Sequence, residues 1–69
     1  MIEIDQLIEL GYVVKTELIK GSFDLKHNDE TTNPKLINLK DGIVQTIEPF
    51  GGKQLSFRDI DELKTHMNS

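Results

Sequence analysis

Residues 12–27 read YVVKTELIKGSFDLKH, and they contain the clearest structural signal in the chain, that of a β-hairpin. Two runs rich in β-branched and aromatic residues flank Gly21-Ser22, a pair that suits a two-residue hairpin turn with glycine at its first central position. That turn places Leu18 opposite Leu25 and gathers apolar side chains on one face, whereas a one-residue slip would exchange the two faces. The predicted inward set is Tyr12, Val14, Leu18, Phe23 and Leu25.

Residues 36–48 read LINLKDGIVQTIE and predict a second hairpin, because Asp-Gly is a strong turn signal. A two-residue loop would place Leu39 opposite Val44. A three-residue loop over 40–42 places Leu39 opposite Ile43, and we prefer it because burying each extra apolar side chain contributes about 1.5–3 kcal/mol. In that register the inward set is Ile37, Leu39, Ile43 and Ile47, with Asn38, Thr46 and Glu48 outside.

A helix is expected at each end of the chain. Asp5 is a suitable N-cap for a short first helix, and Gly11 is a suitable residue to end it. Ser56 is placed to cap a second helix over about 57–67, with acidic residues near its start and basic residues near its end. This second helix presents an apolar stripe at helical spacing, made of Phe57, Ile60, Leu63 and Met67.

The glycine-rich segment before this helix resembles a phosphate-binding loop only in part. Gly52-Lys53 is present, but the pattern G-x-x-x-x-G-K-[ST] would need glycine where Ile47 stands and a hydroxyl where Gln54 stands. We therefore interpret Gly51-Gly52 as a flexible joint between strand and helix. Residues 28–35 are polar, lack periodicity and contain proline, so they predict an exposed loop.

These elements predict an α+β fold with the order α-β-β-β-β-α, in which a four-stranded, mainly antiparallel sheet carries both helices on one face. The alternative is a small open barrel with the helices closing its ends. At 69 residues the chain is expected to form a single domain, 1–69. The sequence shows no resemblance to a known family.

Composition narrows the function classes. The chain has no cysteine, so it offers no disulfide and no thiolate for metal binding or nucleophilic attack. A net charge of −4 disfavours direct nucleic-acid binding, which depends on Lys and Arg. No run approaches a membrane span and no secretory signal is visible, which predicts a cytoplasmic protein. The lack of alanine and the many Ile and Lys codons are typical of an AT-rich bacterial or phage genome.

No catalytic constellation is expected. In the predicted register His27 and Asp24 point to opposite faces and Ser22 lies in the turn, so a nucleophile, a base and an orienting carboxylate do not converge. No cofactor loop and no metal-ligand spacing is present, and we expect no cofactor, no metal and no enzymatic activity. Asp29 and Glu30 lie in the long polar loop, where binding residues are often displayed.

The apolar residues that break the polar faces of the two hairpins suggest a function. Val13 and Ile19 in the first hairpin and Val44 in the second would lie on the open side of the sheet, where a contiguous apolar patch marks a partner surface. The sequence therefore predicts a small interaction module that binds another protein or itself. The alternative is an acidic inhibitor, of the type encoded by phages and mobile elements, that occupies the nucleic-acid site of an enzyme and is steered there by charge.

Overall fold

The computed structural model describes residues 1–47 and 53–68. All neighbouring strands are antiparallel and follow one another across the sheet in chain order. The α+β class, the antiparallel sheet and the terminal helices are confirmed, but the described residues form five strands and not four. The elements are α1 (Ile4–Glu9), β1 (Tyr12–Ile19), β2 (Ser22–His27), β3 (Leu36–Lys40), β4 (Ile43–Thr46), β5 (Ser56–Phe57) and α2 (Ile60–Met67).

One buried cluster joins both helices to the same side of the sheet. Leu7 of α1 and Leu63 of α2 are fully buried and belong to the same cluster as the inward residues of the strands. Because side chains alternate across a strand, the other side of the sheet stays open. We call these sides the inner face and the outer face. The cluster consists of Ile2, Leu7, Tyr12, Leu25, Ile37, Leu39, Val44, Phe57 and Leu63.

Helix α1 begins and ends with hydrogen bonds that the sequence partly reveals. The N-cap is Glu3 and not Asp5: the Glu3 N–H donates to the Gln6 side-chain oxygen at 2.8 Å. Gly11 ends the helix as expected, with a left-handed φ of 106°. Leu7 is the buried residue of this helix, whereas Ile8 is 51% exposed.

The first hairpin turns one residue earlier than its sequence predicts. Ile19 pairs with Ser22, so the turn is Lys20-Gly21, and Gly21 occupies its second position with φ 84°. Two register irregularities, at Lys15 and Leu18, then place Val14 opposite Leu25. As a result Leu18, which was expected to be buried, is 58% exposed, whereas Tyr12 and Leu25 are buried as expected and Phe23 packs against the core.

The second hairpin has the two-residue loop Asp41-Gly42, so the prediction of a three-residue loop over 40–42 is wrong. Asp41 and Gly42 both have positive φ, 53° and 76°, as a type I′ turn requires. Leu39 therefore lies opposite Val44, and the inward residues of β4 are Val44 and Thr46. Ile43 and Ile47, expected in the core, are half-buried. The twist of a type I′ turn matches that of the strands, and this advantage outweighs the additional isoleucine burial that the three-residue loop would give.

The fifth strand replaces the expected start of the second helix. Ser56 and Phe57 pair with β4, and the Thr46 hydroxyl accepts a hydrogen bond from the Leu55 N–H at 2.9 Å. Ser56 is therefore not the cap. Asp59 caps α2 instead, with its carboxylate 2.7 Å from the Asp61 N–H. The apolar stripe nevertheless meets the core, since Phe57 and Leu63 are buried and Ile60 and Met67 pack against them.

The loop over 28–35 is tied to the sheet at its far end. The Tyr12 hydroxyl donates a buried hydrogen bond of 2.5 Å to the Pro34 carbonyl, and the His27 N–H donates to the Lys35 carbonyl at 2.9 Å. Pro34 itself is buried, while most of the loop is exposed as expected. The Gly51-Gly52 joint lies outside the described residues. Within the described ranges, no helix is long and apolar enough to cross a membrane.

Candidate interaction surface

Strand β1 forms one edge of the sheet. It pairs with β2 along one side, and no described strand pairs with its other side. Its first residue, Tyr12, is buried, but the seven that follow are all exposed. Six large apolar side chains are exposed in the described residues, and four of them belong to this strand. We call these four residues, Val13, Val14, Leu18 and Ile19, the β1 apolar edge.

Two members of this edge were expected on the open side of the sheet, and the structure places them there. Val13 pairs with Lys26 and Ile19 pairs with Ser22, and both partners belong to the outer face of β2. Val13 is 49% exposed and Ile19 is 59% exposed. The structure thus brings these residues onto one face of one strand.

The placement of Val44 on the open side is wrong. Val44 is fully buried on the inner face, where it pairs with Leu39 and with Phe57 on its two sides. The three-residue loop expected between β3 and β4 would have turned this side chain outward. With the two-residue turn it becomes a core residue, so it contributes nothing to a surface.

The remaining two members of the edge were missed by the sequence analysis. Val14 and Leu18 were assigned to the buried face on the assumption of strict alternation along β1. Val14 does lie on the inner face, opposite Leu25, but it is 37% exposed at the edge of the sheet. The irregularities at Lys15 and Leu18 break the alternation beyond it, and Leu18 is 58% exposed. One signal was available in the sequence: apolar residues occur at both odd and even positions of this strand. A strand covered on one face needs them at only one of the two.

Charged side chains stand between the apolar pairs of β1. Lys15 and Glu17 are both exposed and lie on either side of Thr16. Glu17 makes one long contact within the chain, since its carboxylate lies 3.5 Å from the Gly21 N–H. Along the strand the order is therefore two apolar residues, a cation, Thr16, an anion and two apolar residues.

An open concavity of about 270 Å³ lies beside the start of β1. It borders Val13 and combines one apolar wall with charged side chains of both signs. The edge of β1 and the loop over 28–35 meet here. The lining residues are Val13, Lys15, Lys26, His27, Asn28 and Glu30.

Both acidic loop residues proposed for binding are engaged within the loop. The Thr31 N–H and hydroxyl donate to the Asp29 carboxylate at 2.9 and 2.8 Å, and these hydrogen bonds lower the pKa of Asp29. The ammonium group of Lys35 lies 2.5 Å from the Glu30 carboxylate and lowers the pKa of Glu30. Glu30 shares the concavity with Val13, whereas Asp29 does not line it.

Both ring nitrogens of His27 make hydrogen bonds within the fold, which indicates a structural role. Its Nδ1 accepts from the Asp29 N–H at 2.9 Å, so the neutral ring carries its proton on Nε2 and donates to the Leu10 carbonyl at 2.7 Å. Ser22 and Asp24 lie on the opposite face and share contacts with Asn38, whose amide donates to Ser22 Oγ at 3.2 Å and Asp24 Oδ1 at 2.9 Å. Ser22 also lies in β2, not in the turn as expected.

The described ranges provide few side chains that could form other kinds of site, such as a metal site. Within residues 1–47 and 53–68, no group of three or more His, Asp or Glu side chains is placed to hold a metal ion. The chain matches no protein-family model, no curated protein and no solved structure. The β1 apolar edge must therefore be interpreted from its own geometry.

Proposed function

We propose that this protein is a small non-catalytic interaction module that binds an extended segment of a polypeptide along the free edge of β1. The observation that supports this proposal is the concentration of exposed apolar side chains there: four of the six in the described residues. Isolated exposed apolar residues are ordinary on a protein surface, but four on one eight-residue edge strand are an unusual concentration.

The chemistry of an edge strand suits this role. Its outward N–H and C=O groups form a ready template for another strand, and binding by strand addition uses main-chain hydrogen bonds for affinity and side chains for specificity. The outer-face pair Val13 and Ile19 contributes apolar contact on one side of an added strand. Val14 and Leu18, which are 37% and 58% exposed, supply further apolar contacts.

Two features of β1 limit indiscriminate pairing. Lys15 and Lys20 place charge along the edge, and the irregularities at Lys15 and Leu18 twist the strand. Natural sheets use both devices to avoid aggregation. An edge that keeps these devices and still exposes four apolar side chains favours a specific partner strand.

Affinity capture from extracts of the source organism tests the proposal. The wild-type chain is compared with Leu18→Lys and Ile19→Lys, which place a charge on the β1 apolar edge. The matched control is Ile8→Lys, because Ile8 is similarly exposed, at 51%, but lies on α1. We expect the two β1 variants to lose the captured protein and the control to retain it.

Amide hydrogen exchange of the purified complex then locates the contact. Protection of the β1 amides on binding supports the proposal. A partner held equally by all three variants, or protection confined to the helices, would contradict it.

The alternative function, an acidic inhibitor of a nucleic-acid enzyme, receives no specific support. Asp29 is occupied by Thr31, and Glu30 is partly neutralised by Lys35.

A further inference from the structure

We infer that the strand added to the β1 edge is β1 of a second copy of this chain, running antiparallel across a two-fold axis at Thr16. The inference rests on the proposed function and names its partner. It follows from the order of side chains along the strand, which is self-complementary when the strand is reversed on itself. In such an isologous contact each pair of residues occurs twice.

The register centred on Thr16 matches every exposed residue from 13 to 19 with a suitable partner. Lys15 faces Glu17 of the second copy, so the contact contains two opposite-charge pairs. Val14 faces Leu18 and Val13 faces Ile19, so all four members of the β1 apolar edge meet apolar side chains. Thr16 faces its own copy on the axis, a pairing that is favourable between strands.

Neighbouring registers are worse for identifiable reasons. A shift by one residue places Lys15 opposite either Thr16 or Leu18, and no opposite-charge pair forms. A register centred on Lys15 or on Glu17 places like charges directly opposite each other, which is destabilising. Among these five registers, only the one centred on Thr16 pairs opposite charges across the axis.

The twist of β1 also favours a second copy. Bulges increase the local right-handed twist of a strand, and a flat partner fits such an edge poorly. A copy of β1 has the same twist, and pairs at the edge of a sheet tolerate large twist angles. Val13 and Ile19 share the outer face, so their contact across the axis is geometrically consistent. The concavity beside Val13 then lies where Ile19 of the second copy arrives.

Sedimentation equilibrium over a wide range of protein concentrations measures the association. We expect a dimer for the wild type. Lys15→Glu and Glu17→Lys each convert two attractive pairs into two repulsive ones, and should weaken the dimer by roughly tenfold or more. Lys40→Glu and Glu9→Lys make the same charge changes at exposed positions outside β1 and should leave it unchanged. Circular dichroism verifies that each variant is folded.

Mixing the two β1 variants gives the decisive result. In an equimolar mixture of Lys15→Glu with Glu17→Lys, every charged pair across the axis is again of opposite sign. The heterodimer should therefore recover an affinity close to that of the wild type, while each variant alone remains weak. A loss of folding in either variant would not produce this recovery.

A wild-type chain that stays monomeric at every concentration overturns the inference. A dimer that ignores both charge reversals, or a mixture without recovery, overturns it as well. In each case the proposed function is judged separately by whether a different polypeptide protects the β1 amides and is lost with Leu18→Lys.

Discussion

At the scale of single residues, Gly42 makes two contacts possible because it has no side chain. Its positive φ belongs to the β3–β4 turn, and its carbonyl accepts the Ile2 N–H at 2.9 Å. A Cβ at this position would stand 2.4 Å from the Cβ of Met1. The glycine therefore allows the N-terminal segment to lie against the turn and Ile2 to enter the core.

Substituting Gly42→Ala should lower the free energy of unfolding by about 2–3 kcal/mol, from backbone strain together with the displaced Met1. Gly21→Ala is the matched control, because Gly21 has a positive φ of 84° but no atom within 4 Å of an added Cβ. Its cost should be about 1 kcal/mol. Urea unfolding measures both, and equal losses would show that the Met1 contact is unimportant.

The buried hydroxyl of Tyr12 gives the protein a dependence on alkaline pH. Burial raises the pKa of Tyr12 to about 12 from its ordinary value of 10.0. The unfolded chain then loses this proton before the folded chain does, so stability falls as the pH rises from 10 toward 12. The loss attributable to Tyr12 is at most about 1.4 kcal/mol per pH unit.

Tyr12→Phe should remove this contribution and flatten the pH profile above pH 10. At neutral pH the variant should be less stable by about 1–2 kcal/mol, since the Pro34 carbonyl loses its donor. Unfolding by urea at a series of pH values compares the two proteins. Parallel profiles would mean that the hydroxyl is not the titrating group.

At the scale of elements, the segment from Leu55 to Asp59 shows how two predictions compete for the same residues. Serine is a residue type that commonly caps helices, yet Ser56 and Phe57 pair with the open edge of β4 and form a strand. The helix begins only where Asp59 supplies the next available cap. Local patterns identify both possibilities, but only the tertiary position of β4 decides between them.

Asp59→Ala should reduce the free energy of unfolding by about 1 kcal/mol, because the Asp61 N–H loses its acceptor at the start of α2. Ser56→Ala serves as the comparison and should cost less than about 0.5 kcal/mol, since Ser56 is exposed in β5. Thermal or urea unfolding gives both values. A larger loss for Ser56→Ala would indicate a helix that starts earlier.

Strand β1 shows why the candidate surface was only half predictable. Alternation along an ideal strand correctly placed Val13 and Ile19 outside, and it correctly buried Tyr12. The turn lies one residue earlier than predicted, however, and the strand accommodates this through two irregularities whose positions the sequence pattern does not specify. Leu18 was therefore assigned to the wrong environment.

At the scale of the whole molecule, one cluster unites the sheet and both helices, so unfolding should be cooperative. Leu25 is fully buried in this cluster, whereas Leu18 of the same hairpin is 58% exposed. Leu25→Ala should cost about 2–5 kcal/mol, and Leu18→Ala should stay within about 0.5 kcal/mol. Urea unfolding at a concentration too low for self-association measures the pair. Similar losses of stability for the two variants would indicate that Leu18 is buried in the core.

The class of fold was accessible from sequence because hairpin signals and helical stripes are local. The number of strands was not, since β5 consists of two residues that acquire their conformation from β4. For the same reason Val44 was placed on the wrong face: its orientation depends on a choice between two turn lengths that both fit the pattern Asp41-Gly42. Each error arose where a non-local contact or a turn geometry selected among locally equivalent options.

The two edges of the sheet differ greatly in length. Strand β1 has eight residues, whereas β5 at the opposite edge has two. A polypeptide that pairs with β1 occupies the only described edge long enough for such pairing. The two-residue edge at β5 offers few main-chain groups to which a further strand could be added. Assembly by this protein should therefore terminate after one addition, and the same asymmetry guards it against polymerising into filaments.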